Sequence, residues 1–473
     1  MRSLANLLSS PSYSSLSSII VYCLRQSEAD DLAEFLRSRG HDASSYHAGK
    51  SRDHRTEIQA RFMDNKTRIL VATTAFGMGV NKSDIRAVIH YSMPKSIEAL
   101  VQEAGRAGRD GHVAMNRVYY DVDDVDTLKS MTHANALERA GIDELLRRLG
   151  DAADEAALHA TNNSMHDANN SSEVIALVPI AAALHAADMN RETAETLLAY
   201  LESRDDSGIR LLPTANRFAV VTVYRPDALE GLGDAERPMI VDYLLSRASV
   251  KKERFRGRFQ MRGNNAWSST RNVYKVDLFN AASSLTCGVD VIIAQLASLR
   301  VRRLVQFDLT EECFAVRIDG GDHVIERLSM AADADWLMER VAEAQQTAGL
   351  KLRAISSILS DAVKRNVSVD GHDHVIVDAI QTYFGGESGA RGVAPVPLGA
   401  KEQVLLAADI RVFAATCGVE RERVTPLVVA RIFHGMSSPQ FPASEWMRSG
   451  FWGRHVAVDF EDIQVAATKV LKA

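Results

Sequence analysis

Over the first quarter of the chain, apolar runs alternate with amphipathic stretches. "SIIVYC" (18–23), "RILVATT" (68–74) and "AVIHYS" (87–92) are short and β-branched, and the first reads as a strand buried on both faces. Between them Ala29, Leu32, Ala33 and Leu36 recur at helical spacing after Ser27, with Gly40 as the stop. "ASSYHAG" (43–49) predicts another short strand, and a helix is expected from about Arg52 to Met63. Ser96 caps a helix with Ile97, Leu100, Val101 and Ala104 on one face, and "NRVYYDV" (116–122) closes the series. Strand–helix alternation with apolar strands predicts an α/β lobe with a parallel sheet covered on both faces.

Past residue 130 the pattern changes. "DAADEAALHATNNSMHDANNSS" (151–172) is small, polar and Asn-rich and reads as a mobile linker. A helical stretch is expected from Glu173, and Asn190 caps "RETAETLLAYLE". "GIRLLP" and "RFAVVTVYR" then read as hairpin-like strands. Helix, helix, hairpin is winged-helix order, and it recurs over 272–318 with "GVDVIIAQLASLR", "LVQFDL" and "CFAVRI". The expected domains are therefore a linker (1–17), an α/β lobe (18–130) and a helix with polar linker (131–172). A winged-helix-like unit with a basic segment (173–260) and a second such unit (261–327) follow. A helical region ending in the Gly/Pro linker "GGESGARGVAPVPLGA" (328–400) and a C-terminal helical module (401–473) complete the chain.

Composition adds little. The 473 residues are 46% hydrophobic and 25% charged, with net charge −6, ordinary for a globular protein. This balance neither demands nor forbids a nucleic-acid partner, because binding depends on local patches. Cys23, Cys287, Cys313 and Cys417 are too scattered for a disulfide framework or a CxxC metal pair. His372 and His374 lack further ligands at short spacing, so no structural zinc is expected.

The candidate chemistry sits in "QEAGRAGRDG" (102–111). Arg106 and Arg109 stand three apart on a turn of small residues, one helical turn after Gln102. Two surface arginines ordinarily form a solvated face. Here Gly105, Ala107 and Gly108 let another surface approach closely, and a planar, permanently charged fork suits charge building on a transferring phosphoryl group. A second basic stretch, "KKERFRGRFQMRGNNAW" (251–267), alternates Lys251, Lys252, Arg254, Arg256 and Arg258 with Phe255 and Phe259, the composition of a single-strand binding surface.

These segments carry a resemblance. "QEAGRAGRDG" is similar to motif VI of superfamily-two helicases in its RecQ form, "VATTAFGMGVNKSDIRAVIH" (71–90) to RecQ motif V, and "YHAG" (46–49) with Arg55 to the segment between that motif and motif IV. "NRETAETLLAYLE" and "VVARIFHGMSSPQFPASEWMRSGFW" (428–452) resemble the RecQ branch associated with Rothmund–Thomson syndrome. The resemblance implies a RecA-like second helicase lobe followed by winged-helix-like and small helical domains. It further implies an ATP-dependent 3′–5′ DNA helicase of repair, recombination and replication. Arg106, Arg109 and Gln102 would be catalytic. Gly79, Asn81 and Gly105 would line the nucleotide, and Thr73, His47, Gly49 and Arg55 would meet the DNA backbone. Single-stranded or forked DNA and replication or repair proteins are the implied partners. A nuclear, chromosome-associated setting is implied, with cytoplasm or mitochondrion as alternatives.

A phosphate-binding glycine loop and an acidic magnesium pair are expected of such a motor. "AGKS" (48–51) has Ser44 where the loop needs glycine, and "DEAALH" (154–159) follows no apolar strand. The expectation is that ATP and Mg²⁺ bind jointly with a first lobe supplied from elsewhere, this chain being a fragment and inactive alone. The alternatives are a non-catalytic DNA-binding module, or lobe two of an RNA helicase or remodelling motor.

Overall fold

The computed structural model describes residues 1–76, 81–163, 172–204, 208–224, 226–233, 237–247, 251–255, 269–320, 330–365, 374–385, 398–420 and 423–472. They form two compact units. The first comprises Met1–Ala136, Ala342–Ser437 and Ala443–Ala473, the second Leu137–Val341 with Ser438–Pro442.

The head of the first unit is built on β1 (Ile19–Tyr22), β2 (Ala43–Tyr46), β3 (Ile69–Ala72), β4 (Ala87–His90) and β5 (Met115–Val118), in the order β2-β3-β1-β4-β5. All four pairings are parallel. The three inner strands are buried at every position, the reason their sequences read as continuous apolar runs. Around them lie α1 (Arg2–Ser9), α2 (Pro11–Ser14), α3 (Gln26–Ser38), α4 (Arg52–Met63), α5 (Ile97–Ala104) and α6 (Val122–Thr132). Ile19, Val21, Ile69 and Val71 face a core with Ala29, Leu32 and Leu36 of α3. Ile20, Leu70 and Val88 face Ile58 and Phe62 of α4 on the other side. This is the parallel, doubly covered lobe that the sequence predicts.

Residues 1–17, expected as a linker, are corrected to helices packed on the lobe. Leu4 and Leu8 are fully buried in its core, and the Arg68 guanidinium donates to the carbonyls of Leu16 (2.9 Å) and Tyr13 (2.5 Å). The serine-rich composition hid two buried leucines at helical spacing.

The second unit opens with α7 (Arg139–Asn163), so the first half of the expected linker 151–172 is helix. Ile142, Leu145, Leu146, Leu149 and Ala153 bury one face of it. Ion pairs of Glu144 with Arg147 and Arg148 line another. The stretch from Glu173 is a strand, not a helix: β6 (Ser172–Pro179), rich in β-branched residues. After α8 (Ile180–Ala186) and α9 (Arg191–Glu202), the two expected hairpin strands are one long strand, β7 (Ile209–Val223). Next come α10 (Pro226–Glu230), α11 (Met239–Leu245), β8 (Lys251–Phe255), β9 (Ser269–Asp277), α12 (Leu278–Ser284), α13 (Val289–Val301) and β10 (Val305–Gly320). β10 likewise merges two expected strands, and its register against β7 shifts between Cys313 and Ala315. A bulge stands where the sequence suggested a turn.

These strands make one antiparallel sheet, β6-β10-β7-β9-β8. The boundary drawn at 260/261 therefore runs through a sheet, because β7 pairs with strands on both sides of it. Two helical cores serve this sheet. α7 to α9 pack on Ala176, Val178, Phe314 and Val316. α11 to α13 pack on Ala219, Val221, Val276 and Val305.

α14 (Met330–Lys364) contributes Ala334 and Leu337 to the second unit's core. Its later turns give Leu352, Ile355 and Leu359 to a cluster with Met93, Ile97, Leu100 and Leu128 in the first. α15 (His374–Phe384), α16 (Ala400–Thr416), α17 (Pro426–Phe433), α18 (Ala443–Trp446) and α19 (Phe460–Lys472) complete the chain. The expected separate module at 401–473 instead belongs largely to the lobe's unit. Arg431, buried, donates to Ala136 O (2.7 Å), and Lys129 pairs with Asp459 (3.0 Å).

His434 lies 2.8 Å from Ser130 Oγ and is 4% exposed. Burial pushes its pKa down from 6.5 to about 4. The unfolded chain therefore binds the extra proton first. This contribution is complete above about pH 6.5 and is lost as pH falls toward 4. Between pH 7 and 4.5 the protein is expected to lose roughly 2–3 kcal/mol through this group. Urea unfolding at the two pH values checks it, because His434→Gln should flatten that part of the dependence.

Candidate nucleotide and nucleic-acid site

"YHAG" and the loop after β3 lie at the C-terminal ends of parallel strands, where such sheets carry their ligands, whereas the 105–111 turn follows α5 and is bonded to Ile85, just before β4. α5 begins at Ser96, whose Oγ accepts from the Ala99 amide (3.1 Å). Its buried face is Ile97, Leu100 and Glu103, whereas Val101, expected inside, is 40% exposed. A carboxylate thus occupies a core position.

The reason lies beneath it. His90, at the end of β4 and 1% exposed, donates from Nε2 to Glu103 Oε2 at 2.8 Å. The Tyr22 ring stacks on His90, with centroids 5.6 Å apart. Tyr22 donates from its hydroxyl to the Phe76 carbonyl (3.0 Å), and the Tyr22 hydroxyl oxygen accepts a hydrogen bond from Arg106. Burial pushes the Tyr22 pKa far above the phenol range, against the opposing charge of Arg106.

The two arginines have different surroundings. Arg106 is 7% exposed and packed over Tyr22. Arg109 and Gln102 are exposed. Arg109 Nε donates to Gly105 O (3.4 Å), which holds its stem against the turn. Gly108 has φ +69°, and a Cβ there would sit 2.9 Å from His112 O, so only glycine fits. The turn is pinned to the sheet by Gly108 N donating to Ile85 O (3.0 Å) and by an Arg86–Asp110 ion pair.

Thr73 is buried at the end of β3, and its amide donates to Tyr46 O (3.3 Å), which brings motif V beside "YHAG". Gly79 lies outside the described residues. Asn81 is exposed, and the next residue, Lys82, is buried among Met63 O (3.2 Å), Asn65 Oδ1 (2.8 Å) and Asp84 Oδ1 (2.8 Å). His47 is 5% exposed and bonds Asp30 through Nε2 (2.9 Å). Lys50 Nζ (2.9 Å) and Ser45 Oγ (2.5 Å) donate to the same carboxylate. Burial raises the Asp30 pKa, but these hydrogen bonds outweigh it and hold the group at about 2. A Cβ on Gly49 would meet Gln26 Oε1 at 2.3 Å. Arg55 is half-buried on α4. Within "AGKS", Lys50 is engaged by Asp30 and the Ser51 side chain caps α4, accepting from His54 N (3.3 Å). That is not a phosphate-loop geometry.

The basic stretch is only partly within view. Lys251, Lys252, Arg254 and Phe255 fall on β8 at the edge of the second sheet. Arg256, Arg258 and Phe259 lie outside the described residues. Among the described residues, no group of three or more His, Cys, Asp or Glu is arranged to hold a metal.

Sequence reasoning missed Tyr22, His90, Glu103, Asp30 and Lys82. A histidine closing an apolar strand and a glutamate at the i+3 position from Leu100 were the available signals.

The helicase conserved C-terminal domain family matches residues 1–111. Over 99% of its length the chain is 31% identical to the ATP-dependent DNA helicase Q-like 5 of Arabidopsis thaliana, covering 47% of that protein. It is 26% identical to the ATP-dependent DNA helicase Q4 of Homo sapiens over 99% of its length, covering 43% of that protein. An RNA helicase of Acanthamoeba polyphaga mimivirus is 47% identical over 107 residues, 23% of this chain and 20% of its own length. The chain thus spans about half the length of the two relatives it matches end to end. It carries a helicase conserved C-terminal domain at its head and is similar, throughout its length, to RecQ-type helicases.

Proposed function

We propose that this chain is the C-terminal part of an ATP-dependent 3′–5′ DNA helicase acting in repair, recombination and replication, in a nuclear, chromosome-associated setting. The observation that carries the reading is the Arg109 turn: an exposed guanidinium on a glycine bend, pinned to the sheet and backed by a buried polar layer. Arg109 is the charge that reaches the γ-phosphate when a phosphate-loop lobe closes on this one. Arg106 serves mainly to hold the turn, and Gln102 arranges the same edge, with Gly105, Gly79 and Asn81 nearby. ATP and Mg²⁺ are bound jointly with that first lobe.

Thr73, His47, Gly49 and Arg55 form the DNA-facing side, where backbone contacts let a motor step over any sequence. The His47–Asp30–Lys50 cluster sets the shape of this loop more than it offers free cations. DNA is favoured over RNA because the relatives similar over 99% of the chain carry the name of DNA helicases.

The test joins this chain to the first lobe of the Arabidopsis relative. Strand-stimulated ATP turnover and unwinding of forked DNA are expected from the fusion, and neither from the chain alone. Unwinding of forked RNA in preference to DNA would overturn the reading, as would turnover by the isolated chain.

A further inference from the structure

We propose that the Tyr22 hydroxyl is the positioning group through which the loop after β3 and the arginine turn act on each other, so that a strand bound at the first alters the geometry of the second. This role rests on the helicase reading above and adds to it the side chain that links strand to turnover.

Tyr22 closes β1, an otherwise aliphatic strand, and is buried. A phenyl ring would fill such a position. The hydroxyl has two partners, and both lie in loops that carry motifs. It donates to Phe76 O (3.0 Å) and accepts from Arg106. A carbonyl only accepts and a guanidinium only donates, so each bond has one possible direction. Burial keeps the phenol protonated throughout the neutral range, so donation to Phe76 persists there.

Each partner is fastened to its own motif. The Phe76 amide donates to Thr73 O (3.0 Å), and the Thr73 amide to Tyr46 O (3.3 Å). The Phe76 ring is buried, with its centroid 5.0 Å from that of Tyr46 and 5.8 Å from that of Phe62, both edge-on. The segment from Thr73 to Phe76 is thus held as one piece. On the other side Arg106 N donates to Glu103 O (3.3 Å) and Ala107 N to Ala104 O (3.1 Å). Ala107 packs in the same cluster as Tyr22, Phe76 and Ile85.

A chain of hydrogen bonds therefore runs from Tyr46 and Thr73 through Phe76 and Tyr22 to Arg106, inside one compact unit. The Tyr22 ring is held by stacking on His90, which leaves the hydroxyl as the point of transfer. A hydroxyl that donates becomes a better acceptor, so a shift of the Phe76 carbonyl changes the hold on Arg106. Arg106 shares its turn with Arg109, and the charge assigned to the γ-phosphate follows. Such coupling is reciprocal: nucleotide closed against the turn must alter strand affinity by the factor with which strand alters nucleotide affinity.

The test uses the chain joined to a first lobe, as above, with Tyr22→Phe, which keeps the ring on His90 and removes both bonds. The ratio of strand-stimulated to unstimulated ATP turnover is expected to fall roughly tenfold. The loss should appear in kcat at saturating oligo-dT and not in the oligo-dT concentration that gives the half-maximal rate. A non-hydrolysable ATP analogue should shift oligo-dT affinity in wild type, read by fluorescence anisotropy, and that shift should be largely lost in Tyr22→Phe. Added to Arg106→Ala, Tyr22→Phe should lower the ratio no further. An unchanged ratio in Tyr22→Phe overturns the proposal and leaves the helicase reading in place. Equal loss of both rates counts as that result, because a weakened turn alone would give it. A full further fall in the Arg106→Ala background overturns it too, since the hydroxyl would then act through something else. Absence of strand stimulation in wild type overturns the helicase reading and this role together.

Discussion

Arg109→Ala, in the two-lobe enzyme of the proposed reading, is expected to lower kcat for DNA-stimulated ATP hydrolysis by about 10³-fold. KM for ATP and affinity for single-stranded DNA should change little. The guanidinium is exposed and stands on a turn held by other groups, so its removal leaves the lobe intact. Arg109→Lys should rescue little, because an ammonium cannot present two parallel donors to a phosphoryl group. Arg106→Ala should behave differently. That side chain is buried over Tyr22, and its loss opens a polar hole under the turn. Activity and stability should then fall together. Comparing kcat with the melting temperature for the two variants separates a charge that acts on substrate from one that supports the turn. Equal kcat in wild type and Arg109→Ala would end the case for this residue as the finger.

The second large effect is on stability. Glu103→Ala leaves the buried His90 Nε2 without its acceptor, and a buried donor left unsatisfied costs about 1–3 kcal/mol. Glu103→Gln keeps an acceptor in place and should cost much less. The loss is expected in β1, β4 and α5, which meet at this pair. Amide hydrogen exchange resolves it, with protection in 87–104 falling by about one to two powers of ten if the whole cost appears as local opening. If protection there matches wild type in Glu103→Ala, the pair contributes nothing, and support for the arginine turn must come from elsewhere.

The legibility of the fold followed the range of the interactions involved. α3 was readable because Ala29, Leu32, Ala33 and Leu36 are all buried and closely spaced along the chain. β1, β3 and β4 were readable because burial on both faces requires apolar residues at nearly every position, His90 being the buried exception. β6 was misread because eight residues of "SEVIALVP" fit a helix or a strand equally well until β10 pairs with them. The long strands β7 and β10 each looked like two, since a bulge and a turn carry similar residues. α1 was hidden by its serines, although Leu4 and Leu8 are among the most buried residues of the lobe.

The site divides in the same way. Local sequence was sufficient for a turn that tolerates only small residues and projects a guanidinium: Gly105, Gly108 and Arg109 lie within five positions, and backbone sterics act over that range. It also determined the parallel lobe, whose strands need nothing beyond their own apolar runs and the helices between them. Only the tertiary structure decided that Arg106 turns inward while Arg109 turns outward. That choice depends on Tyr22, His90 and Glu103 meeting across three separate elements. The single sheet of the second unit was likewise decided in three dimensions. Strand pairing and the burial of charge are set by which distant segments come together, and the order of residues along a chain does not record that.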